Sequence, residues 1–481
     1  MQSQNRIILS KPSSVLVNSK YIDLDRLDAN FYRTDVIELA TKIESRFSMK
    51  RAEDLFEIIT DGDHGTREYV SQGIPFYTAI NVQEYGFVSQ TDLFITKEYE
   101  ESLKRSRLEE NCLLIVKTGV GTGTSCVTGK NVKEGNISAD VGIFKKTKQE
   151  IDVHFISAFM NSKSGREFIL RSSYGSTRNR LTIAELKNLK LPIPSIKIQN
   201  YIGNKVRKAE ELREEAKQLM SQVYELINIH FSLDSFENEI KDNYKYDFVS
   251  SNYLEDRLDA EYYDPNLIKL FTHLSKMGFK FVNLGNVSRM VFTGENVEST
   301  WIAPNKKVPL IYIGNLEGYF VIPSDSEFID ENNVRNWEKS FAEFGDILFA
   351  SRGSLDCLIN RISVYFDEDK KGVITSNIIA VRLDQNLIRP GYVISVLKSI
   401  IGTYQIIKHS WGVAQKGLTA NDVSKIVIPL LQINEQLEIE EKLIQSFKKL
   451  QEAKKLINEA KQDVEDLIEG KFDESKVSEG V

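Results

Sequence analysis

The sequence predicts an α+β chain built twice over. Two tandem, irregular β-rich domains are each followed by a long helix, and the two helices pair as an antiparallel coiled coil with pseudo-two-fold symmetry. Three observations predict this. Asp25-Arg26-Leu27-Asp28-Ala29-Asn30-Phe31-Tyr32 returns as Asp256-Arg257-Leu258-Asp259-Ala260-Glu261-Tyr262-Tyr263. Leu181-Thr182, Pro192 and Gln199 return as Leu418-Thr419, Pro429 and Gln436. Each copy then closes on a charged stretch with apolar residues at steps of three and four, the seam of a packed helix.

Within each copy the parts keep one order. A helix-like stretch (36–47, then 267–277) follows the repeated segment, and short strand-like runs broken by glycine, asparagine and aspartate come next. Ile74-Pro75-Phe76-Tyr77-Thr78-Ala79-Ile80-Asn81 corresponds to Val308-Pro309-Leu310-Ile311-Tyr312-Ile313-Gly314-Asn315. Residues 111–119 correspond to 345–353 in the same way. The seams run through Ile202, Val206, Ala209, Leu212, Ala216, Leu219, Val223 and Leu226, and through Leu443, Phe447, Leu450, Ile457, Ala460, Val464 and Leu467. Roughly 35 helical residues make a rod of about 50 Å, enough to hold the two domains at a fixed separation.

Composition narrows the function classes. The chain has 481 residues, 27% of them charged and 41% hydrophobic, as expected of globular domains large enough to bury their own cores. No apolar run reaches membrane-spanning length and the first ten residues lack a signal-peptide core, so a cytoplasmic protein without membrane contact is expected. Three scattered cysteines and five scattered histidines give no metal or disulfide signature. A net charge of −7 disfavours a non-specific nucleic-acid coat but leaves room for a sequence reader, whose affinity depends on where its cations sit.

The candidate chemical motifs fail as catalysts. Lys117-Thr118-Gly119-Val120-Gly121-Thr122-Gly123 follows a strand, but Cys126-Val127-Thr128 reads as a second strand, whereas a dinucleotide or methyl-donor loop leads into a helix. No cofactor is therefore expected. Asp61-Gly62-Asp63-His64-Gly65-Thr66-Arg67 has no second acidic cluster to pair with, and the other copy reads Thr293-Gly294-Glu295-Asn296, so it is taken as a loop of polar donors. Tyr263-Asp264-Pro265-Asn266 lacks the second proline and the stacking aromatic of an amino-methyltransferase loop.

Basic loops are the positive signal. Lys163, Arg166, Arg171, Arg178, Arg180, Lys187 and Lys190 crowd one stretch opposed only by Glu167 and Glu185. Its centre, Tyr174-Gly175-Ser176-Thr177-Arg178-Asn179-Arg180, corresponds to Trp411-Gly412-Val413-Ala414-Gln415-Lys416-Gly417. Arginine can bridge guanine O6 and N7, asparagine or glutamine can bridge adenine, and serine or threonine can hold phosphate. By position and chemistry the candidate DNA-contacting residues are Thr66, Arg67, Lys117, Thr118, Arg171, Ser176, Arg178, Asn179 and Arg180 in the first copy. In the second they are Ser351, Arg352, Ser376, Asn377, Trp411, Gln415 and Lys416.

The chain resembles the specificity (S) subunits of type I restriction–modification systems. The resemblance rests on the glycine loop that exits through Leu-Thr to Leu191-Pro192-Ile193-Pro194 or Ile428-Pro429-Leu430 and then a glutamine opening a long helix. It rests also on Gly345-Asp346-Ile347-Leu348-Phe349-Ala350-Ser351-Arg352-Gly353-Ser354 followed by Thr375-Ser376-Asn377, and on the twice-repeated order of parts. The first copy departs from this at Glu110-Asn111-Cys112-Leu113. The resemblance implies target recognition domains at 1–195 and 233–432, coiled-coil helices at 196–232 and 433–470, and a flexible tail at 471–481. It further implies a non-catalytic reader of a bipartite, asymmetric duplex site in phage defence. Two adenine-N6 methyltransferase (M) subunits would be its partners, with restriction (R) subunits as a further option.

Two other classes stay open at this point. A self-contained DNA-modifying enzyme would transfer methyl groups or cut DNA alone. A protein-binding scaffold of two repeated modules would show no salt-steep duplex binding.

Overall fold

The computed structural model describes residues 29–477 apart from 66, 131, 133, 174–178, 240–256, 258, 299–301, 303–307, 324–326, 335–338 and 370. Contacts divide the chain into two compact units, 1–213 with 451–481, and 214–450. The repeated Arg26-Leu27-Asp28 lies outside the described residues, as do Thr66, Ser176 and Arg178.

In the first unit, a sheet is built from β1 (Phe56–Asp61), β2 (Leu113–Val116), β3 (Ser125–Val127) and β4 (Val141–Thr147), in the order β1-β4-β2-β3. The second unit repeats it with β5 (Ser288–Thr293), β6 (Ile347–Ala350), β7 (Ile362–Val364) and β8 (Ile378–Leu383), in the order β5-β8-β6-β7, extended by two short strands. A three-stranded sheet recurs as well. Its central strand, Ile74–Tyr77 or Val308–Ile311, has one antiparallel and one parallel neighbour in both units. Each central strand ends in a turn clamped by an asparagine, whose Oδ1 accepts the N–H of Thr78 (2.9 Å, Asn81) or Tyr312 (2.8 Å, Asn315). The repeat seen in the sequence is thus a repeat of topology.

Two long helices close the units, α1 (Ile196–Phe231) and α2 (Ile433–Glu469), and they pack together. In the first unit Ile202, Val206 and Ala209 are buried in one core with Ala453, Ile457, Ala460 and Val464. In the second, Val223 and Ile227 share a core with Ile439 and Leu443. Partners run in opposite senses along the two helices: Gln222 meets Lys442, while Glu215 pairs with Lys449. Leu212, Leu219 and Leu226 of the seam are only half-buried.

The glutamine that opens each long helix has a structural task. Gln199 Oε1 accepts the N–H of Asp152 (3.0 Å) and its Nε2 donates to the Pro194 carbonyl (2.8 Å). Gln436 does the same for Arg389 (3.1 Å) and Leu431 (2.9 Å). Beyond each clasp a carboxylate serves the start of a buried helix, reached by opposite routes. The Asp152 carboxylate caps Val153–Asn161 from within, accepting the N–H of His154 at 2.9 Å, and pairs with Arg207 of α1 at 2.6 Å. At Pro390–Leu397 the carboxylate is Glu440 of α2, accepting the Gly391 N–H at 3.1 Å and the Arg389 guanidinium at 2.6 Å. Gly203 and Gly391 leave room for these groups. A Cβ on Gly203 would lie 2.4 Å from Asp152 Oδ2, and one on Gly391 2.6 Å from the Glu440 Cα.

Burial alone would raise the Asp152 carboxyl, but hydrogen bonds from His154 and Arg207 outweigh it and bring it down from 3.8 to about 2. A depressed folded-state value contributes stability above the unfolded value and loses it as pH falls through the folded one. The contribution is on the order of 2 kcal/mol at neutral pH. Amide protection across Val153–Asn161 should therefore fall between about pH 5 and pH 2. In Asp152→Asn it should be low already at pH 7 and nearly flat over that window, as read by hydrogen exchange.

Helices Val153–Asn161, Lys163–Leu170, Pro390–Leu397 and Ile400–His409 occupy stretches whose short apolar runs read as strands. All nine residues of Val153–Asn161 and all eight of Pro390–Leu397 are buried, so neither presents a polar face to give a helical period. Among the described residues no helix is long and apolar enough to cross a membrane.

Candidate nucleic-acid interface

In the first unit, three stretches far apart in sequence meet at one end of the sheet. The turn after β2 carries Lys117 and Thr118. Thr118 bridges to Arg180, the Leu181 N–H donates to the Lys117 carbonyl at 2.9 Å, and Thr122 Oγ1 donates to the carbonyls of Gly119 (2.7 Å) and Asn179 (3.1 Å). Gly119 and Gly123 adopt φ of +99° and +90°, a region favouring glycine, so the glycine repeat serves a tight turn. That turn leads into strand β3, with no helix to cradle a cofactor phosphate. Asn179 and Arg180 are exposed beside it.

Lys117 is placed otherwise. It is 2% exposed, its ammonium pairs with Asp61 and it donates to the Ala139 carbonyl at 3.2 Å, so it holds the loop together from inside. His64 Nε2 approaches the same carboxylate at 2.8 Å. Burial would raise the Asp61 carboxyl, but Lys117 and His64 keep it below the usual range. Asp63 is likewise held down against burial by the Gly65 N–H, the Tyr99 hydroxyl (2.8 Å) and Arg67 (3.0 Å). Arg67 also donates to the carbonyls of Asp63 and Gly65 and lies 4.6 Å from the Phe76 ring centroid, which orders its loop. Gly62 and its counterpart Gly294 sit so close to a neighbouring strand that a Cβ would meet the Ile137 or Ile374 carbonyl oxygen at 1.9 or 2.4 Å.

The second unit builds the same junction from different side chains. The Leu418 N–H donates to the Ser351 carbonyl at 3.0 Å, and the Ser351 N–H to the Asn377 carbonyl at 2.9 Å. Arg352 pairs with Gly417, and Gly353 with Lys416, as a short antiparallel ladder. Trp411 closes the loop by exchanging two backbone bonds with Gly417, of 3.0 and 2.9 Å. Its indole lies against Gly417, where a Cβ would come within 2.9 Å of Cζ2. Arg352, Asn377, Trp411 and Gln415 are exposed, Ser376 is half-buried, Ser351 is buried, and Lys416 pairs with Glu261. At the exit of both junctions a threonine caps the next short helix, Thr182 with Glu185 and Thr419 with Asp422.

The structure also explains the repeated segment near the start of each copy, which sequence reasoning read only as scaffold. The Arg257 guanidinium donates to the Ser410 carbonyl (2.9 Å), pairs with Asp259 (2.6 Å) and faces the Tyr262 ring, so it tethers the root of the Trp411 loop. The aromatic pairs Phe31–Tyr32 and Tyr262–Tyr263 both have centroids 5.0 Å apart. Each offers a ring to a cation from the helix before its loop: Arg171 sits 4.1 Å from Phe31, and Lys408 4.5 Å from Tyr262. Arg171 also donates to the Phe31 carbonyl at 3.1 Å. Pairing each loop-preceding cation with the repeated aromatics was the available signal.

The departure at Glu110-Asn111-Cys112 has a physical counterpart. In the second unit Asp346 and Arg382 form a buried bidentate pair of 3.1 and 2.9 Å, beside Gly345 at φ +88°. In the first, Asn111 takes φ +60°, Cys112 stands where Asp346 does, and buried Lys145 binds the Arg107 carbonyl and the Glu109 carboxylate at 3.2 Å.

Among the described residues no group of three or more His, Cys, Asp or Glu is disposed to hold a metal. Each unit presents a loop junction that carries exposed polar side chains. Residues 44–225 match the model of the type I restriction modification DNA specificity domain. No curated protein matches the chain. Among solved structures, an S subunit of a type I restriction-modification system from M. genitalium is similar at 15% identity, over 89% of this chain and 96% of its own, with a TM-score of 0.43. The HsdS subunit from Thermoanaerobacter tengcongensis is similar at 14% identity, over 89% and 96%, with a TM-score of 0.26. A chain from a study of complex assembly and conformational transition of the type I R-M system gives 13%, 89% and 97%, and 0.29.

Proposed function

We propose that the chain is the sequence-reading, non-catalytic subunit of a type I restriction–modification complex in the cytoplasm. The observation that carries this reading is the loop junction, built by the same backbone bonds in both units but lined by different side chains. The match of 44–225 to a DNA specificity domain supports duplex DNA as the ligand of the first unit's junction. Two unlike readers on one repeated frame suit a bipartite, asymmetric site. The target recognition domains would be 1–195 and 233–432. Helices 196–232 and 433–470 would act as a coiled-coil ruler for the spacer, with 471–481 as a tail. Two adenine-N6 methyltransferase subunits would dock on this frame, and restriction subunits could join them.

Exposed Asn179, Arg180, Arg352, Asn377, Trp411 and Gln415 are the residues we assign to base and phosphate contact, with Thr118 and Ser376 beside them. Arg67, Lys117, Arg171, Ser351 and Lys416 would act through the loops they hold, and Thr66, Ser176 and Arg178, outside the described residues, are assigned to DNA contact by sequence position alone. The chain alone, given S-adenosylmethionine and duplex DNA, should transfer no methyl group. With its methyltransferase partner it should direct adenine methylation to a split motif, and binding should weaken steeply with salt. Methyl transfer by the isolated chain would make it an enzyme, and salt-insensitive or absent DNA binding by the complex would make it a protein scaffold.

A further inference from the structure

A cleft of about 410 Å³ lies beside the first unit's loop junction, between the Ala79–Asn81 turn and the turn after β2. Its floor includes Val82, Val116 and Thr124. Its two lips are Ile80, 75% exposed, and Val120, which is fully exposed. Thr118 belongs both to the cleft wall and to the backbone bridge with Arg180, so the cleft is continuous with the junction. The nearby carboxylate, Glu84, is already paired with Arg166 (3.0 Å) and Lys461 (3.1 Å), which reduces its repulsion of a polyanion. A single exposed valine is ordinary. Two exposed, branched apolar side chains lining one cleft, on loops otherwise polar, are placed to take an apolar group. In the second unit the corresponding residues are Gly314 and Ser354, so the apolar lips belong to one reader only.

We infer that Ile80 and Val120 grip the 5-methyl edge of a thymine in the half-site read by the first unit. This rests on the DNA-reading function proposed above and adds the chemical group recognised. The thymine methyl is the one apolar feature of the major-groove edge, and contact with aliphatic side chains is how it is distinguished.

The test uses the complex with its methyltransferase and a duplex carrying the mapped site. Each thymine of the half-site assigned to the first unit is replaced in turn by deoxyuridine, which removes the methyl group alone. At one position the wild-type complex should lose roughly three- to tenfold in affinity, the worth of one buried methyl. Ile80→Ser/Val120→Ser should bind the thymine duplex more weakly and show no further loss with deoxyuridine at that position. Deoxyuridine in the other half-site should act alike on wild type and variant. The inference is overturned if the half-site holds no thymine, if no deoxyuridine weakens binding, or if the loss persists undiminished in the double variant. A wild-type complex that binds scrambled duplex as well as the site overturns the reading function itself, and this inference with it.

Discussion

Arg382→Met should destabilise the second unit by about 3–5 kcal/mol, the usual result of stripping one partner from a buried ion pair. Asp346 is 1% exposed and depends on Arg382 for two hydrogen bonds, with the Glu343 N–H as a third at 2.9 Å. Burial already raises the Asp346 carboxyl despite Arg382. Without the cation, neutralising that carboxyl becomes the cheaper state, so the deficit should shrink as pH falls from 8 toward 5. Asp346→Asn/Arg382→Met should recover much of the loss, because no lone charge is then buried. All three tryptophans, Trp301, Trp337 and Trp411, lie within 214–450, so intrinsic fluorescence during urea unfolding reports on this unit. A deficit below 1 kcal/mol at pH 8 would show that the pair is not holding the Gly345–Ala350 segment in place.

The second large effect belongs to the loops. Arg352→Ala/Gln415→Ala should cost roughly 10- to 1,000-fold in affinity for the cognate duplex, one or two direct base contacts at about 1–3 kcal/mol each. Stability should barely change, since both side chains are exposed and the ladder that holds Arg352, next to Gln415, is made of backbone bonds. Affinity for unrelated duplex should fall far less, by no more than the phosphate contacts removed. Titration of labelled cognate and scrambled duplexes against the methyltransferase complex separates the two. Equal losses on both duplexes would make these residues phosphate anchors and move base reading elsewhere.

Much of this frame was legible in the sequence because both copies obey the same backbone constraints. Leu181 and Leu418 recur because each must donate its N–H into the preceding strand end and bury its side chain. Gln199 and Gln436 recur because each satisfies two buried backbone groups where a long helix begins. The seam residues were legible from their spacing alone, though several face solvent more than a full coiled-coil seam would.

What was not legible depended on pairing across space. Nothing in the spacing of Lys117 and Asp61 says that they neutralise each other in the interior, so a buried lysine reads as a free one. Arg171 looks like part of a basic loop until Phe31 is seen beneath it. The exchange of Asp152–Arg207 for Arg389–Glu440 is invisible to residue-by-residue matching, because charge and host helix change together. The buried helices Val153–Asn161 and Pro390–Leu397 lack the polar stripe that would have announced them.

The central claim is that two independent readers share one frame. Genome-wide mapping of methylated adenines tests it most directly, in cells carrying the methyltransferase with wild-type chain, Asn179→Ala/Arg180→Ala or Arg352→Ala/Gln415→Ala. Wild type should give a split motif, relaxed in only one half by the first variant and only in the other half by the second, with the spacer unchanged in all three. A single contiguous motif, or both halves relaxing together in either variant, would contradict it.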